Sequence, residues 1–433
     1  MTAPIAPGAQ ATCNTFAQKA SRLRWWYIAA PLLIVVIVGQ LNKLAIPVVM
    51  SHKQFLHDLN LLGRPAVTGL LTSGFLFSYA ICQFVWGYTV RRFGPRVSAI
   101  TGVLICGGAM LLSGIAETAS ALITARIILG IGGAFMFPVA STFVANWFPV
   151  SERGRANSIW LSGMTVGPAI CGVLVVVVMA AGGWRTVFFT LAALSLLPLS
   201  LAIFLMRDHP LQQARISSDE VRLIEEGVLA KTKEVPHTTV LQRKGGYLAD
   251  YHFWLVTLAC GFNHIYFWGW STWMPTYFQD VHHLSFHSAG YLFSLSFLFT
   301  IPAMLVVGYC SDRTMRRAPF GAGCWIIAGI LMFVGGGLLQ NAYWALAVLT
   351  ISLCCQEAAF LMGQSLLQSL IPESLMGSAM GISAGVSMLM SAISPTLIGF
   401  LLQISGFGSV IVFLALALLI PGILTLFLVR EGY

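Results

Sequence analysis

The sequence predicts an all-α polytopic membrane protein with twelve transmembrane helices arranged in two six-helix halves. Of its 433 residues, 57% are hydrophobic and only 9% are charged, whereas about a quarter of a soluble domain is charged. The apolar residues form a dozen stretches, each close to the roughly 20 residues that an α-helix needs to cross a bilayer. These stretches are too long and too uniformly apolar for the alternating strands of a β-barrel, so helices are the expected spanning elements.

Basic residues divide unequally between the two sides of the predicted spans. Nineteen of the 24 Lys and Arg residues lie in the tails and loops of one side, and three (Lys53, Arg64 and Arg185) lie on the other. The positive-inside rule puts the first side, with both termini, in the cytoplasm. The expected location is the cell membrane, in a bacterium the inner membrane. Because this topology explains the net charge of +9, a nucleic-acid partner is not expected.

The loops and tails divide the chain into five predicted segments. They are a cytoplasmic N-terminal tail (1–24), an N-terminal six-helix half (25–206), a cytoplasmic linker (207–250), a C-terminal six-helix half (251–429) and a cytoplasmic C-terminus (430–433). The linker is rich in charged residues, which favours a solvated connection without chemistry of its own. We expect a monomer in a lipid bilayer with no cofactor and no metal ion. His283 and His287 are better explained as an exposed titratable loop than as metal ligands.

Two basic residues remain, and both lie inside predicted spans. Lys43 follows Asn42 in a polar patch of the first helix, and Arg126 lies in the fourth helix. An arginine keeps its proton at any accessible pH, so inside hydrocarbon it needs an anion, a carboxylate or a water-filled cavity. Both cations fall at a similar depth in the outer-central bilayer. They predict an anion-binding site, with the alternative that Lys43 extends to the headgroups. Tyr79 and Gln83 of the second helix are expected to face the same cavity.

The second helix ends in a loop motif that recurs in the other half of the chain. The first copy runs Gly87-Tyr88-Thr89-Val90-Arg91-Arg92-Phe93-Gly94-Pro95-Arg96, and the second begins Gly308-Tyr309-Cys310-Ser311-Asp312-Arg313. Both resemble the loop motif of the major facilitator superfamily, and two copies indicate the parallel repeat of that fold. The resemblance implies a cytoplasmic gate latch formed by Gly87, Arg91, Arg92, Gly94, Arg96, Gly308, Asp312 and Arg313. Arg91 stands where the family has an acidic residue.

The fourth predicted helix resembles one branch of this superfamily more specifically. The run Arg126-x-x-x-Gly130-x-Gly132-Gly133-Ala134, followed by Asn146-Trp147-Phe148-Pro149, is similar to the anion:cation symporter branch, which includes sugar-acid and phthalate permeases. This branch usually has Asp-Arg in the first helix and a Glu in the fourth. Asn42, Lys43 and Gly133 occupy those three positions here. The resemblance implies transport of an organic anion, whereas the carboxylates implicated in proton coupling in the family are absent.

Glycines of the fourth and fifth helices are expected to pack helices together. Gly130 and Gly132 allow a neighbouring helix to approach the fourth helix closely. Gly163 and Gly167 belong to a glycine-proline pattern similar to that of exchangers in the superfamily. We favour packing over an exchanger marker for this pattern, because small residues pack membrane helices generally.

The C-terminal half offers titratable groups and an aromatic wall. Asn263, His264 and Trp270 lie in the most aromatic predicted helix, and Glu357 is the only acidic residue near the middle of a span. An intramembrane carboxylate is a functional candidate by default; the alternative is a buried ion pair or a neutral structural acid. Aromatic residues alone more often indicate packing. If the repeat aligns the halves, Glu357 and His264 face Lys43 across a central cavity, where Glu357 accepts a co-transported proton.

These observations predict a secondary active transporter of a small organic anion, a carboxylate such as a sugar acid or an aromatic acid, that couples uptake to protons by alternating access. An exchanger or uniporter without proton coupling is the alternative. A receptor without transport activity is disfavoured because the tail and the linker are too short for a partner domain. The sequence contains no recognisable nucleophile-base arrangement or phosphate loop, so an enzyme is not expected. The identity of the anion does not follow from the sequence.

Overall fold

The computed structural model describes residues 23–213, 216, 220–222, 224, 246–314, 317–371 and 375–431. Within these residues the secondary structure is helical throughout. Its main helices are α1 (Ala30–Val49), α2 (Lys53–Asp58), α3 (Pro65–Phe93), α4 (Pro95–Gly114), α5 (Ala119–Gly133), α6 (Met136–Trp147), α7 (Val150–Leu194), α8 (Leu196–Phe204), α9 (Tyr251–Asp280), α10 (Phe286–Thr314), α11 (Arg317–Gly337), α12 (Ala342–Leu370), α13 (Met376–Ala392) and α14 (Ser394–Arg430). A π-helical turn, Trp25–Ala29, precedes α1.

The predicted all-α membrane fold is confirmed. Nine segments of the described chain are long and apolar enough to cross a membrane. Two of them, of 54 and 53 residues, are interrupted at glycines with positive φ, Gly183 (φ 77°) and Gly406 (φ 69°), so each is long enough for two spans. The thirty-residue helix α9, rich in aromatic and polar residues, is not among the nine. Counting the two bent segments twice and adding α9 gives twelve spans.

Local sequence determines where several helices begin. Thr118 Oγ1 accepts a hydrogen bond from the Ala121 N–H at 3.2 Å, and Asp250 Oδ1 accepts one from the His252 N–H at 3.1 Å. Each side chain satisfies a backbone donor that has no partner inside the helix. Between α3 and α4, Gly94 adopts φ 85° and Pro95 opens the next helix. A positive φ suits glycine, and proline fits the first helical turn because no N–H is needed there.

Glycines bring the helices of the N-terminal half into close contact, as predicted. A Cβ added at Gly130 would overlap the Phe75 carbonyl, so α5 packs backbone to backbone against α3. A Cβ at Gly163 would lie 3.2 Å from the Leu33 carbonyl oxygen, and one at Gly167 would lie 3.3 Å from the Ile37 carbonyl oxygen. The packing interpretation of the fifth-helix glycines is therefore confirmed, since both contact α1.

The two halves meet at the end of the bundle that the sequence predicts to be outside. There, a Cβ at Gly69 would overlap the Pro395 carbonyl, and a Cβ at Gly172 would overlap the Gly290 carbonyl. Ser73 Oγ lies 2.8 Å from Thr396 Oγ1 across the same contact. At the opposite end, Cβ atoms at Gly87 and Gly381 would have no neighbour within 4 Å. We call the first contact, made by Gly69, Ser73 and Gly172 with Gly290, Pro395 and Thr396, the outer seam.

The linker is not a purely solvated connection. Glu220 is fully buried and accepts a hydrogen bond from Arg24 Nη1 at 2.7 Å, and Arg24 also contacts Glu152 at 2.9 Å. Asp208 Oδ1 accepts from the Arg96 N–H at 2.8 Å. At these two residues the linker is therefore held against the protein rather than solvated, because their carboxylates bind Arg24 and the backbone of Arg96. Residues 225–245 lie outside the described part of the chain.

Candidate substrate-binding site

The guanidinium of Arg126 lies fully buried between three helices. Its Nε donates to the Leu71 carbonyl at 3.2 Å, Nη1 donates to the Asn42 carbonyl at 3.0 Å, and Nη2 donates to the Lys43 carbonyl at 3.0 Å. The cation also lies over the Phe75 ring, 5.2 Å from its centroid. In this conformation Arg126 therefore contacts backbone dipoles and an aromatic face, not a cavity open to an anion.

Proline explains why one of these carbonyls is available. Pro47 lies inside α1, and proline has no N–H to donate to the carbonyl four residues earlier, which belongs to Lys43. A buried carbonyl without a donor is costly, and the Arg126 side chain supplies the missing hydrogen bond. Arg126 thus connects α5 to the point in α1 where Lys43 projects. The spacing of Lys43 and Pro47 in the sequence is the signal that indicates this free carbonyl.

Lys43 has much weaker contacts than Arg126. Its side chain is 6% exposed, and its Nζ lies 3.5 Å from Tyr79 Oη and 4.5 Å from the centroid of the Tyr79 ring. Among the residues that the structure describes, no carboxylate lies within 4 Å of Nζ. The amine of Lys43 is therefore buried with one long hydrogen bond and, among the described residues, no counter-ion.

A small cavity adjoins Lys43 inside the N-terminal half. Its volume is about 20 Å³, and its walls include Asn42, Lys43, Phe75, Cys106, Gly133 and Ser195. Asn42 Nδ2 donates to Ser195 Oγ at 3.3 Å, whereas Asn42 Oδ1 is buried without a hydrogen-bond partner. The space is enough for a water molecule but not for an organic anion. A molecule larger than water would reach Lys43 only if these helices separated.

Gly133 is the wall residue that changes the chemistry of this cavity. A Cβ at Gly133 would lie 3.9 Å from Lys43 Cε and 3.8 Å from Tyr79 Cδ2. A glutamate there, as in the anion:cation symporter pattern, would extend towards the lysine amine. Asn42, at the other position where that pattern has an acid, is adjacent in sequence to Lys43. Both departures from the pattern therefore remove negative charge from the surroundings of the same lysine.

The candidate residues of the C-terminal half do not line this cavity. Asn263 is 2% exposed, and its Oδ1 accepts from Trp325 Nε1 at 2.8 Å. Trp270 is buried with its ring 5.5 Å from that of Tyr277. Gln83, on α3, is half-buried and also lies outside the cavity wall. The structure groups Asn42, Lys43 and Tyr79, and Gln83, one turn further along α3, is hydrogen-bonded to Tyr79. It does not bring Asn263 or Trp270 into that group.

The two titratable candidates occupy neighbouring helices of the C-terminal half. The His264 ring is half-buried on α9, with Nδ1 2.8 Å from the Cys260 carbonyl oxygen and its centroid 4.9 Å from that of Phe360 on α12. The carbonyl is an acceptor, so Nδ1 carries a proton and donates it to this bond. Glu357 is half-buried three residues before Phe360. Both groups are separate from Lys43 in this conformation.

The loop motif between α3 and α4 contacts its own half. Arg96 Nη2 donates to the Ile203 carbonyl at 2.6 Å, and its Nε donates to the Ala202 carbonyl at 3.3 Å, which ties α4 to the end of α8. Arg91 and Arg92 are exposed. In the second copy Gly308 belongs to α10 and Arg313 is exposed, while the side chain of Asp312 lies outside the described part of the structure. Sequence reasoning did not anticipate that Asp208 would hold the backbone of this motif.

A histidine forms a further contact between the two halves on the predicted outer side. The His52 ring, in the loop before α2, packs edge-on against Phe286 of α10 with centroids 4.8 Å apart. Burial lowers the pKa of His52, the proximity of His287 lowers it further, and Asp58 opposes the shift. The buried Nδ1 of His52 has no hydrogen-bond partner among the described residues. A neutral imidazole is therefore favoured while the two halves touch here.

The helical bundle with its two buried basic side chains defines a membrane carrier. The chain belongs to the Major Facilitator Superfamily, whose family model matches residues 26–395. It is therefore a multi-pass transport protein and not an enzyme, as the sequence predicted.

Similar proteins confirm the resemblance to the anion-transporting branch. The probable sulfoacetate transporter SauU of Cupriavidus necator is 29% identical over 78% of this chain and 79% of its own. The D-galactonate transporter of Escherichia coli O6:H1 is 25% identical over 96% of this chain and 97% of its own.

Solved structures agree with the fold. A bacterial homologue of the human lysosomal transporter Spinster superposes with a TM-score of 0.76 at 16% identity, over 95% of this chain and 99% of that one. A D-xylose-proton symporter superposes with a TM-score of 0.71 at 16% identity, over 91% and 96% of the two chains.

Proposed function

We propose that this protein carries a small organic anion across the cell membrane by alternating access, with Lys43 as the cation that binds the substrate carboxylate. The observation that carries this proposal is a buried lysine amine without a counter-ion, since an ammonium in such a place needs a negative partner. The names of the relatives, sulfoacetate and D-galactonate transporters, support a hydrophilic carboxylate or sulfonate of a few carbon atoms as the substrate class.

Arg126 has a supporting part in this proposal. Its three hydrogen bonds hold α1 at Asn42 and Lys43, so it orients the lysine while adding positive potential near the site. Asn42 and Tyr79 complete the immediate surroundings of the carboxylate. Gln83, with Asn263 and Trp270 of the other half, contacts the rest of the substrate once the helices around the cavity have separated.

Proton coupling is a finer part of the proposal. The sequence offers Glu357 as the proton acceptor, with His264 beside it, in a half of the molecule that contacts Lys43 only when the site assembles. Protonation of Glu357 would remove a competitor for the cation and would link proton binding to anion binding. The protein then works as a monomer in the inner membrane with both termini in the cytoplasm, and the two loop motifs adjust the cytoplasmic gate.

Exchange or uniport without protons is the second candidate. The neutral residues Asn42 and Gly133, at positions where the family pattern has acids, favour it because they remove two groups that could carry protons. Proteoliposome counterflow separates the candidates. A coupled carrier accumulates the anion when a proton gradient is imposed, whereas an exchanger shows the same counterflow with and without the gradient.

The first experiment is a counterflow screen with purified protein in proteoliposomes. Galactonate, sulfoacetate and an aromatic carboxylate are tested, each beside its neutral amide or alcohol analogue. We expect at least one anion to exchange and its neutral analogue to be inactive, because the lysine amine binds charge. Equal counterflow of the neutral analogue, or no exchange of any organic anion, would contradict the proposal.

A further inference from the structure

We propose that Lys43 is itself the proton carrier of this transporter: the amine is neutral in the empty site and takes up one proton with each carboxylate that it binds. This inference rests on the proposed function. It differs from coupling through Glu357, because the group that binds the anion and the group that binds the proton are then the same side chain.

The first step is the charge around the lysine. The titratable groups near its amine from neighbouring helices are Tyr79 on α3 and Cys106 on α4, and Arg126 on α5 bonds to its backbone carbonyl. None of these is an acid that ionises near neutral pH, and Arg126 is a permanent cation that bonds to the carbonyl of Lys43. Among the described residues, a protonated Lys43 amine therefore has no negative charge beside it.

The second step is the cost of that arrangement. Removing an ammonium from water without a counter-ion costs several kcal/mol, and Nζ has only the 3.5 Å contact with Tyr79 Oη and the ring face to offset it. The empty site therefore favours the neutral amine. When a carboxylate enters, the ion pair offsets the desolvation of both partners. One proton from solution binds the amine, and the charge of the monoanion is cancelled.

The third step is the absence of a fixed acid. A glutamate at position 133 would lie beside the lysine, since a Cβ there is 3.9 Å from Lys43 Cε. Such an acid would keep the lysine charged whether or not substrate was present. With Gly133 and Asn42 in place, no side chain in the cavity wall provides that negative charge in the empty site, and the substrate brings it. The two departures from the family pattern thus convert a permanent cation into one whose charge depends on substrate.

The test measures protons bound per anion bound. Purified wild-type protein in weakly buffered detergent at about pH 8, where a solvated lysine is fully charged, is mixed with the active carboxylate and a pH indicator. We expect close to one proton taken up per carboxylate. Lys43→Arg should still bind the anion with a Kd within about tenfold of wild type and take up no proton, because arginine cannot be neutral.

Lys53→Arg, at an exposed lysine of the predicted outer loop, is the matched comparison, and it should still take up one proton per anion. Proton uptake that persists in Lys43→Arg, as coupling through Glu357 would give, or that disappears in Lys53→Arg, would overturn the inference. Wild-type binding without proton uptake would also overturn it while leaving the proposed function intact. Failure of every carboxylate to bind the wild-type protein would instead refute the proposed function itself. A melting curve of each variant excludes misfolding as the cause of a lost signal.

Discussion

The hydrogen bond between Arg126 and the Lys43 carbonyl allows a test by double substitution. Arg126→Met removes three hydrogen bonds, to the carbonyls of Leu71, Asn42 and Lys43. The first two carbonyls have a backbone N–H four residues ahead in a continuous helix, whereas Pro47 leaves the third without one. Replacing Pro47 with alanine returns that N–H. The destabilisation by Arg126→Met should therefore be smaller in the Pro47→Ala background.

The size of the difference follows from the orphaned carbonyl. A buried acceptor that loses its partner costs about 1–3 kcal/mol, and the loss of the other two hydrogen bonds is the same in both backgrounds and cancels. One kcal/mol shifts Tm by about 2–4 °C in a unit the size of one six-helix half. The Tm penalty of Arg126→Met should thus fall by roughly 2–12 °C when Pro47→Ala is present.

The assay is thermal unfolding of four purified proteins in one detergent: wild type, the two single variants and the double variant. Leu122→Ala, which truncates a buried apolar side chain of α5, serves as the control for a general destabilisation of α5. Its Tm penalty should be the same with Pro47 and with Pro47→Ala. An Arg126→Met penalty that is independent of residue 47 would refute the account of how Arg126 and α1 are connected.

Three further predictions concern the ends of the bundle. Gly69→Leu should open the outer seam, because overpacking against the Pro395 carbonyl costs about 1–3 kcal/mol. A maleimide added on the outer side should then label Ser73→Cys about 5- to 150-fold faster in the Gly69→Leu background than with Gly69. The contact at His52 stabilises the closed outer side fully above the usual histidine pKa of about 6.5. This stabilisation is lost as pH falls, because the pKa of His52 is lowered in the closed state. Labelling of Ser73→Cys, divided at each pH by that of the unfolded protein to cancel the loss of thiolate, should rise with acidity, and His52→Phe should abolish this rise. The pKa of Glu431 is lowered by hydrogen bonds from Tyr251 and His252, so Glu431→Gln should lower Tm at neutral pH and converge with wild type as pH falls below about 4.

Each of these has an outcome that counts against it. Unchanged labelling of Ser73→Cys in Gly69→Leu would mean that the outer seam is not a closing contact. A pH dependence that survives in His52→Phe would assign it to another group, and His287→Gln is then the variant to compare. A Tm difference between Glu431→Gln and wild type that stays constant into acid would show that the Glu431 carboxylate does not contribute through its charge.

The architecture could be predicted from the sequence because long apolar runs indicate membrane helices and small residues indicate where those helices pack. Gly130 and Gly167 pack as expected, and the two loop motifs indicated the repeat. Side-chain direction was harder to anticipate. Lys43 and Arg126 were expected to face one cavity, yet only Lys43 lines one. Depth in the membrane can be counted from the sequence, but the rotation of a helix and the competition from backbone acceptors cannot.

The linker shows a related limit. Its composition is that of a solvated segment, and the positions of Glu220 and Asp208 in the sequence carry no periodic signal. Their roles follow from tertiary contacts with Arg24 and with the backbone of Arg96. Pro47 is the opposite case, because the donor that it lacks could have been noticed from the sequence, and the buried arginine was the obvious candidate to replace it.

Uptake of the active anion by Lys43→Ala tests the central claim most directly. Proteoliposomes with wild type, Lys43→Ala or Lys53→Ala, whose lysine is exposed on the predicted outer loop, are compared at equal protein density in counterflow. We predict that Lys43→Ala loses exchange of the carboxylate and that Lys53→Ala retains it at the wild-type rate. Wild-type exchange by folded Lys43→Ala would show that the anion crosses the membrane without this lysine, and would contradict the account.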